Sequence, residues 1–230
     1  MSARRLVIAI DGPAASGKSS TAKWVADRLG IRHVDSGALY RALTAAALRA
    51  GPAGGDWSEA EVLRHAGRVG LRPEGRGFAP LVDGAPAGEE IRAVEVTRHV
   101  STVAAMPGVR GGVNAQVRAA ADEHDVVVDG RDIGTAVFPD AALKVFLVAD
   151  PWERARRRLV QRLERTPTEA EVAEETDRLV QRDARDATQT VPARDAVVVD
   201  TTYLTQEDQV ERIVALARAV THRPGDTSAG

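Results

Sequence analysis

The apolar positions of the chain fall into two rhythms. Leu6-Val7-Ile8-Ala9-Ile10 is an unbroken apolar run that stops at Asp11-Gly12-Pro13, and a run of that length closed by turn residues predicts a strand buried on both faces. The period then changes. From Lys18 onward Ala22, Val25, Ala26 and Leu29 recur at helical spacing, and Gly30 stands where the helix should end. Further apolar runs at Asp125 to Asp129, Leu143 to Ala149 and Ala196 to Asp200, with a brief one at His33 to Asp35, are separated by helical stretches. Strands alternating with helices in this way predict an α/β fold: a five-stranded parallel sheet core flanked by helices on both faces.

Two stretches depart from that alternation. Between Gly67 and Ile91, Gly, Pro and short apolar pairs replace the helical period, and Val82-Asp83-Gly84-Ala85 offers a hairpin turn, so a small β insertion is expected. Pro151 to Arg165 reads as a strongly basic helix, and Thr168 to Asp186 as a second helix with acidic residues in its first turns. Together they suit a mobile helical hairpin. The polar end of the chain, from His222, shows no period and contains Pro and Gly, so it is expected to be disordered.

Composition narrows the class without naming a reaction. Of 230 residues 43% are hydrophobic, 28% charged and 3% aromatic, which excludes a wholly disordered chain and requires a core built from Ala, Val, Leu and Ile. No apolar run approaches the roughly 18 residues of a membrane helix, and the start Met-Ser-Ala-Arg-Arg meets Asp11 too early for a secretory signal. A soluble protein without membrane association is expected. The absence of Cys rules out disulfides and thiolate chemistry and suits a reducing cytoplasm. A net charge of −2 argues against a nucleic-acid partner. Among the basic residues only Lys18, Lys23 and Lys144 are lysine; a GC-rich genome would account for that bias, although arginine is also the favoured phosphate clamp. The five His residues share no ligand spacing, so no metal role is assigned to them.

The sharpest signal is Gly12-Pro13-Ala14-Ala15-Ser16-Gly17-Lys18-Ser19, which fits G-x-x-x-x-G-K-[ST] between a buried strand and an amphipathic helix. With Ser20 it forms the candidate site for the phosphates of ATP: backbone N–H groups and a helix N-terminus face the phosphates, Lys18 brings a point charge, and Ser19 a hydroxyl for Mg²⁺. The Lys18 side chain is expected to point into a solvated site. A phosphate loop serves switch GTPases, motors and small-molecule kinases alike. No Asn-Lys-x-Asp occurs, which disfavours a guanine-reading switch, and the chain is short for a motor. A kinase for a small acceptor needs an acceptor pocket beside the loop and a lid carrying arginines. Asp35-Ser36-Gly37-Ala38-Leu39-Tyr40-Arg41 and Asp129-Gly130-Arg131-Asp132-Ile133-Gly134-Thr135 both follow strands, at the carboxyl ends where open α/β sheets bind ligands. Plainer readings exist: Ser36 as a helix cap, Arg41 as a solvated charge, Gly130 as a strand-end turn. On the basic helix Arg154 and Arg158 share a face and are candidates to clamp phosphates, against a solvated-face reading for Arg154, Arg156, Arg157 and Arg158 alike.

These elements, together with Glu90-Ile91-Arg92, Val109-Arg110, Val137-Phe138-Pro139-Asp140-Ala141 and Arg182-Asp183 followed by Asp186, make the chain resemble bacterial-type cytidylate kinase over roughly residues 5 to 220. The resemblance implies a P-loop kinase that moves a phosphoryl group from ATP to CMP or dCMP with Mg²⁺, in pyrimidine nucleotide metabolism. It implies a single domain over residues 1–222, with a core of about 1–35, 107–150 and 187–222. The acceptor-binding region would then span about 36–106, including the β insertion at about 67–91, with a helical lid at about 151–186 and a disordered tail at 223–230. Ser101, Arg110 and Asp132 match positions that contact cytosine, Arg41 and Arg131 positions that hold the acceptor phosphate, Arg182 and Asp186 the pair that reaches the sugar, and Ser36 a further pocket position. Lys18, Arg131 and Arg158 are the expected charge stabilisers of the transfer, and a cytoplasmic monomer is expected. The rivals are a kinase for UMP, AMP or a non-nucleotide alcohol, and a nucleotide-binding module without turnover. One departure stands out. Three residues beyond Asp186, where the family carries an arginine expected to act as a second phosphate clamp, this chain has Gln189; either Arg185 or Arg194 replaces it or the phosphate is held less firmly.

Overall fold

The computed structural model describes residues 5–51 and 57–221. In chain order the elements are β1 (Val7–Asp11), α1 (Lys18–Leu29), β2 (Arg32–Asp35), α2 (Ser36–Ala50), α3 (Glu59–Leu63), β3 (Val69–Glu74), β4 (Gly77–Val82), β5 (Ala85–Pro86), α4 (Val94–Ala105) and α5 (Pro107–Glu123). They continue with β6 (Val126–Asp129), β7 (Leu143–Val148), α6 (Pro151–Leu163), α7 (Glu169–Asp186), β8 (Val197–Asp200) and α8 (Gln206–Thr221). The expected disordered tail at 223–230 lies outside the described residues. No helix among the described residues is long and apolar enough to cross a membrane.

The continuous apolar runs become the centre of the sheet. Five strands pair in parallel in the order β2-β6-β1-β7-β8, and Ile8, Ala9, Ile10, Val126, Val127 and Val128 are fully buried. One face packs on α2, α4 and α5 and the other on α1 and α8, giving two apolar clusters separated by the sheet. The parallel core is as the periodicity predicts. The β insertion, however, is continuous with it: β3 and β4 form an antiparallel hairpin, and β4 joins the edge of β2 through the His33–Gly77 pair, making one mixed sheet. His33 N–H donates to Arg76 O at 2.9 Å, so the insertion also covers the otherwise open edge of β2. The Asp83-Gly84 turn joins β4 to β5, with φ of 55° and 79° at its two central residues, the left-handed pair that a tight hairpin requires.

The two charged helices pack as a hairpin. α6 starts at Pro151 behind an Asp150 cap, and α7 starts behind a Thr168–Glu171 capping box. Their contact is a small apolar cluster of Ala155, Leu159, Val172 and Leu179. Ala14 of the phosphate loop belongs to the same cluster, which roots the hairpin on the loop it overhangs.

Candidate active site

The loop between β1 and α1 owes its shape to two glycines. Gly12 has φ +149°, and a Cβ there would lie 2.3 Å from Leu147 O of β7, so the chain passes β7 where no side chain fits. Gly17, at φ +87°, leads into α1 without a side-chain cap, leaving the first-turn N–H groups free to face an anion. Residues Ala15 to Ser20 line a cavity of about 590 Å³. Gly12, Pro13 and Ala14 do not line it: Pro13 offers its carbonyl to Lys18, and Ala14 packs under the hairpin. Lys18 does not extend into solvent; it is only 6% exposed and its Nζ donates to Pro13 O at 2.6 Å. Burial, then the nearby Arg131, pushes its pKa down, so the loop holds this cation at a cost that a triphosphate would relieve.

A second, smaller cavity opens beside the first. Ser36, Ser101, Arg110, Asp132 and Asp186 line it, and Gly37, Arg41, Gly130, Arg131 and Arg182 border both cavities. Apart from Gly12, Pro13 and Ala14, the sequence-predicted residues thus converge on one cleft, with Arg158 on the wall of the larger part. Each is fixed locally. Asp35, not Ser36, caps α2, accepting from Ala38 N at 3.0 Å. Ser36 Oγ instead donates to Asp129 O at 2.7 Å. Gly130 is more than a strand-end turn: a Cβ there would stand 2.6 Å from Ser36 Oγ and 2.7 Å from the Ile133 side chain. Arg41 is half-buried rather than a free surface charge; it donates to Thr97 Oγ1 at 3.0 Å and Ile91 O at 3.2 Å.

Positive charge gathers where the cavities meet. Burial, followed by Arg131 and Arg41, brings the Arg182 guanidinium down to about 10, and burial lowers Arg41 as well. Arg182 Nε has no hydrogen-bond partner; its nearest carboxylate, Asp186, lies 3.8 Å away and also faces Arg131 at 3.4 Å. Two guanidinium groups sharing one carboxylate in a recess make a site that an anion would neutralise. At the far end of the smaller cavity Arg110 pairs with Asp132, and Arg110 Nη1 donates to Gln189 Oε1 at 3.3 Å. Gln189 therefore stands beside the Arg110–Asp132 pair. Arg185 and Arg194 are exposed and border neither cavity.

The paired arginines of α6 have different tasks. Arg154 is 4% exposed and donates to Ala14 O at 2.8 Å and Asp183 Oδ2 at 2.6 Å, which makes it a brace rather than a clamp. Arg158 is held by Glu175 at 2.9 Å. Arg157, which spacing alone does not separate from its neighbours, donates to Thr201 O and Thr202 O and borders the larger cavity.

Sequence reasoning notes Asp35 and Asp129 only as parts of motifs. Asp129 Oδ2 accepts from Ser19 Oγ at 2.6 Å, and its Oδ1 meets His33 Nε2 at 2.7 Å. Burial works against a charge on His33, but the bond to Asp129 together with the negative charges of Asp129 and Asp35 outweighs it and raises the pKa above the usual value. Asp35 is pushed up to about 6 by burial and by Asp129. Among the described residues no cluster of three His, Cys, Asp or Glu is built to hold a metal unaided.

The cytidylate kinase family model matches residues 8–219. Curated relatives named cytidylate kinase include that of Geobacillus kaustophilus (strain HTA426), 44% identical over 218 residues, covering 93% of this chain and 96% of the relative. That of Solibacter usitatus (strain Ellin6076) is 39% identical over 221 residues, with 94% of each chain covered. A cytidylate kinase of Thermus thermophilus is 42% identical over 214 residues, covering 93% of this chain and 99% of the relative. A phosphate loop opening onto a second, arginine-bordered pocket is the arrangement a phosphoryl acceptor requires, and with matches that run the length of the chain it belongs to the cytidylate kinase family.

Proposed function

We propose that this chain transfers the γ-phosphoryl group of ATP to CMP or dCMP, yielding ADP and CDP or dCDP, with the donor in the larger cavity and the acceptor in the smaller one. The observation that carries the assignment of sites is the shared border. Arg41, Arg131 and Arg182 face both cavities, so negative charge from either substrate meets the same guanidinium groups, where phosphoryl transfer needs alignment and charge neutralisation more than a base. Ala15 to Ser20 and Lys18 hold the triphosphate. Arg158 reaches from α6 toward the transferring group, and Arg182 and Asp186 serve the sugar.

Base selection falls to Ser101, Arg110 and Asp132. A carboxylate accepts from the cytosine amine, whereas uracil presents an acceptor at that edge and meets repulsion. Ser36 fixes the wall between the pocket and β6. Mg²⁺ fits the hard oxygen donors Ser19 Oγ and Asp129, 2.6 Å apart, with phosphate oxygens and water completing the shell. When bound, the metal neutralises the β- and γ-phosphates. A monomeric enzyme is part of the same reading, and the cysteine-free composition suits a reducing cytoplasm.

The test is a coupled assay of ADP release over CMP, dCMP, UMP, AMP and a non-nucleotide alcohol, with and without Mg²⁺. CMP and dCMP should lead in kcat/KM by at least about tenfold. A lead by another acceptor transfers the assignment to that substrate, and binding without turnover on any of them leaves only a nucleotide-binding module.

A further inference from the structure

Asp11 closes β1, next to Gly12; in the sequence it ends an apolar run and belongs to the Ile10-Asp11-Gly12-Pro13 stretch that helps carry the family resemblance. In the fold it is 5% exposed, and both of its carboxylate oxygens are occupied. Oδ1 accepts the N–H of Ile133 and Oδ2 the N–H of Gly134, each at 2.8 Å. These bonds come from neutral amides; the charged groups that face it are Lys18 of α1, which favours its charge, and Asp132, which opposes it. A carboxylate kept in such a place costs free energy unless its bonds do something a neutral side chain cannot. What it can do is accept two diverging N–H groups on two separate oxygens, which neither Ser nor Asn can.

The two amides open the turn at Ile133 to Val137 that follows β6. Directly before them stand Arg131 and Asp132, one bordering both cavities and the other lining the acceptor pocket. The start of this segment is fixed by Gly130, whose N–H donates to Ile10 O at 3.1 Å. Its end is fixed by Asp11. We infer that Asp11 is a positioning residue for the acceptor: by holding the Ile133 and Gly134 amides it sets where Arg131 and Asp132 meet the nucleoside monophosphate, and it ties that segment to the root of the phosphate loop. The inference rests on the acceptor reading of the smaller cavity.

Asp11→Asn keeps the size and one acceptor oxygen; Asp11→Ser keeps neither the size nor the paired oxygens. KM for CMP should rise about tenfold in Asp11→Asn and further in Asp11→Ser, while KM for ATP stays within about twofold, and the preference for CMP over UMP should narrow. Amide hydrogen exchange at Ile133 and Gly134 should accelerate at least about tenfold in both variants. A loss of thermal stability with KM for CMP unchanged, or an equal rise in KM for both substrates, overturns the inference. So does free exchange of those two amides in the unliganded wild-type enzyme, a measurement that needs no variant to fold. Asp132→Ala, assayed alongside, separates the two levels. If it leaves the CMP preference intact, the acceptor reading falls and the inference with it. If it narrows the preference while the Asp11 variants keep wild-type KM, only the inference falls.

Discussion

Asp183, near the end of α7, accepts the backbone N–H of Ala14 at 3.1 Å although 169 residues separate them. Arg154 closes the ring by bonding Asp183 Oδ2 and Ala14 O, so both polar backbone groups of Ala14 are satisfied by the helical hairpin. The hairpin is therefore bolted to the phosphate loop at its base, an anchor that its outer end does not share. Removing the carboxylate strands Arg154, a nearly fully buried cation. Asp183→Ala should lower stability by about 3 kcal/mol and raise KM for ATP more than KM for CMP. Urea unfolding and steady-state kinetics check both; a stability change below about 1 kcal/mol would show that the ring carries no weight.

If closure over the substrates moves the outer end, a bisubstrate analogue should slow hydrogen exchange most between the last turn of α6 and the first turns of α7. The segments around Arg154 and Asp183 should already be protected without ligand. Uniform new protection along both helices would mean that the whole hairpin docks only on binding.

Lys18→Ala removes the charge that stands between the loop and the transferring phosphoryl group. Turnover should fall by about 10²–10³-fold, the scale for losing one preorganised electrostatic contact. Because burial already depresses the pKa of this ammonium, the fold should lose little stability. Retained turnover would dismiss the role, and a large drop in Tm would show that the bond to Pro13 O matters to folding.

Asp132→Ala should reduce kcat/KM for CMP and dCMP and narrow their lead over UMP, because the acceptor for the cytosine amine is gone and Arg110 keeps only Ala104 O and Gln189 as partners. A buried polar group left unmatched costs about 1–3 kcal/mol, or roughly 5–150-fold in selectivity. Unchanged acceptor ratios would remove Asp132 from the specificity pocket.

Much of this machine is local enough to be legible in the sequence. The β1 run, the loop glycines and the α1 period all lie between Val7 and Leu29, and their meaning does not depend on what packs around them. The same holds for the Asp83-Gly84 turn. What escapes is set by distant partners. The i,i+4 spacing correctly places Arg154 and Arg158 on one face of α6, but which of them reaches the cleft depends on Asp183 and Ala14 taking the first and Glu175 holding the second. Lys18 folds back because Pro13 O lies within reach, a matter of loop curvature rather than motif. Gln189 stands at the Arg110 end of the pocket because the chain just past α7 runs beside α5, where Arg110 reaches it; counting residues from Asp186 could not say which end of the acceptor it would face.

The ionisation of Asp11 supplies a test that geometry alone does not. Burial is the main cause that lifts its pKa from 3.8 to about 6, against the lowering effect of the Gly134 and Ile133 amides. A carboxyl whose pKa is raised on folding binds its proton more tightly in the folded state, so its contribution to stability is fully present below about pH 3.8 and is lost as the pH rises through about 6. The rise is worth about 3 kcal/mol against the ionised form at neutral pH. Asn carries no such charge. Whatever constant amount the Asn amide gains or loses in contacts, the stability of Asp11→Asn relative to wild type should therefore climb with pH by about 3 kcal/mol over the whole window, with roughly half of that between about pH 5 and 7.5. Its use of CMP, by contrast, should be worst where the wild-type carboxylate is ionised and able to hold both amides. Paired urea titrations at several pH values read the first trend and KM for CMP the second. A stability difference that stays flat with pH would mean that Asp11 titrates near its ordinary value, with its two N–H bonds balancing burial.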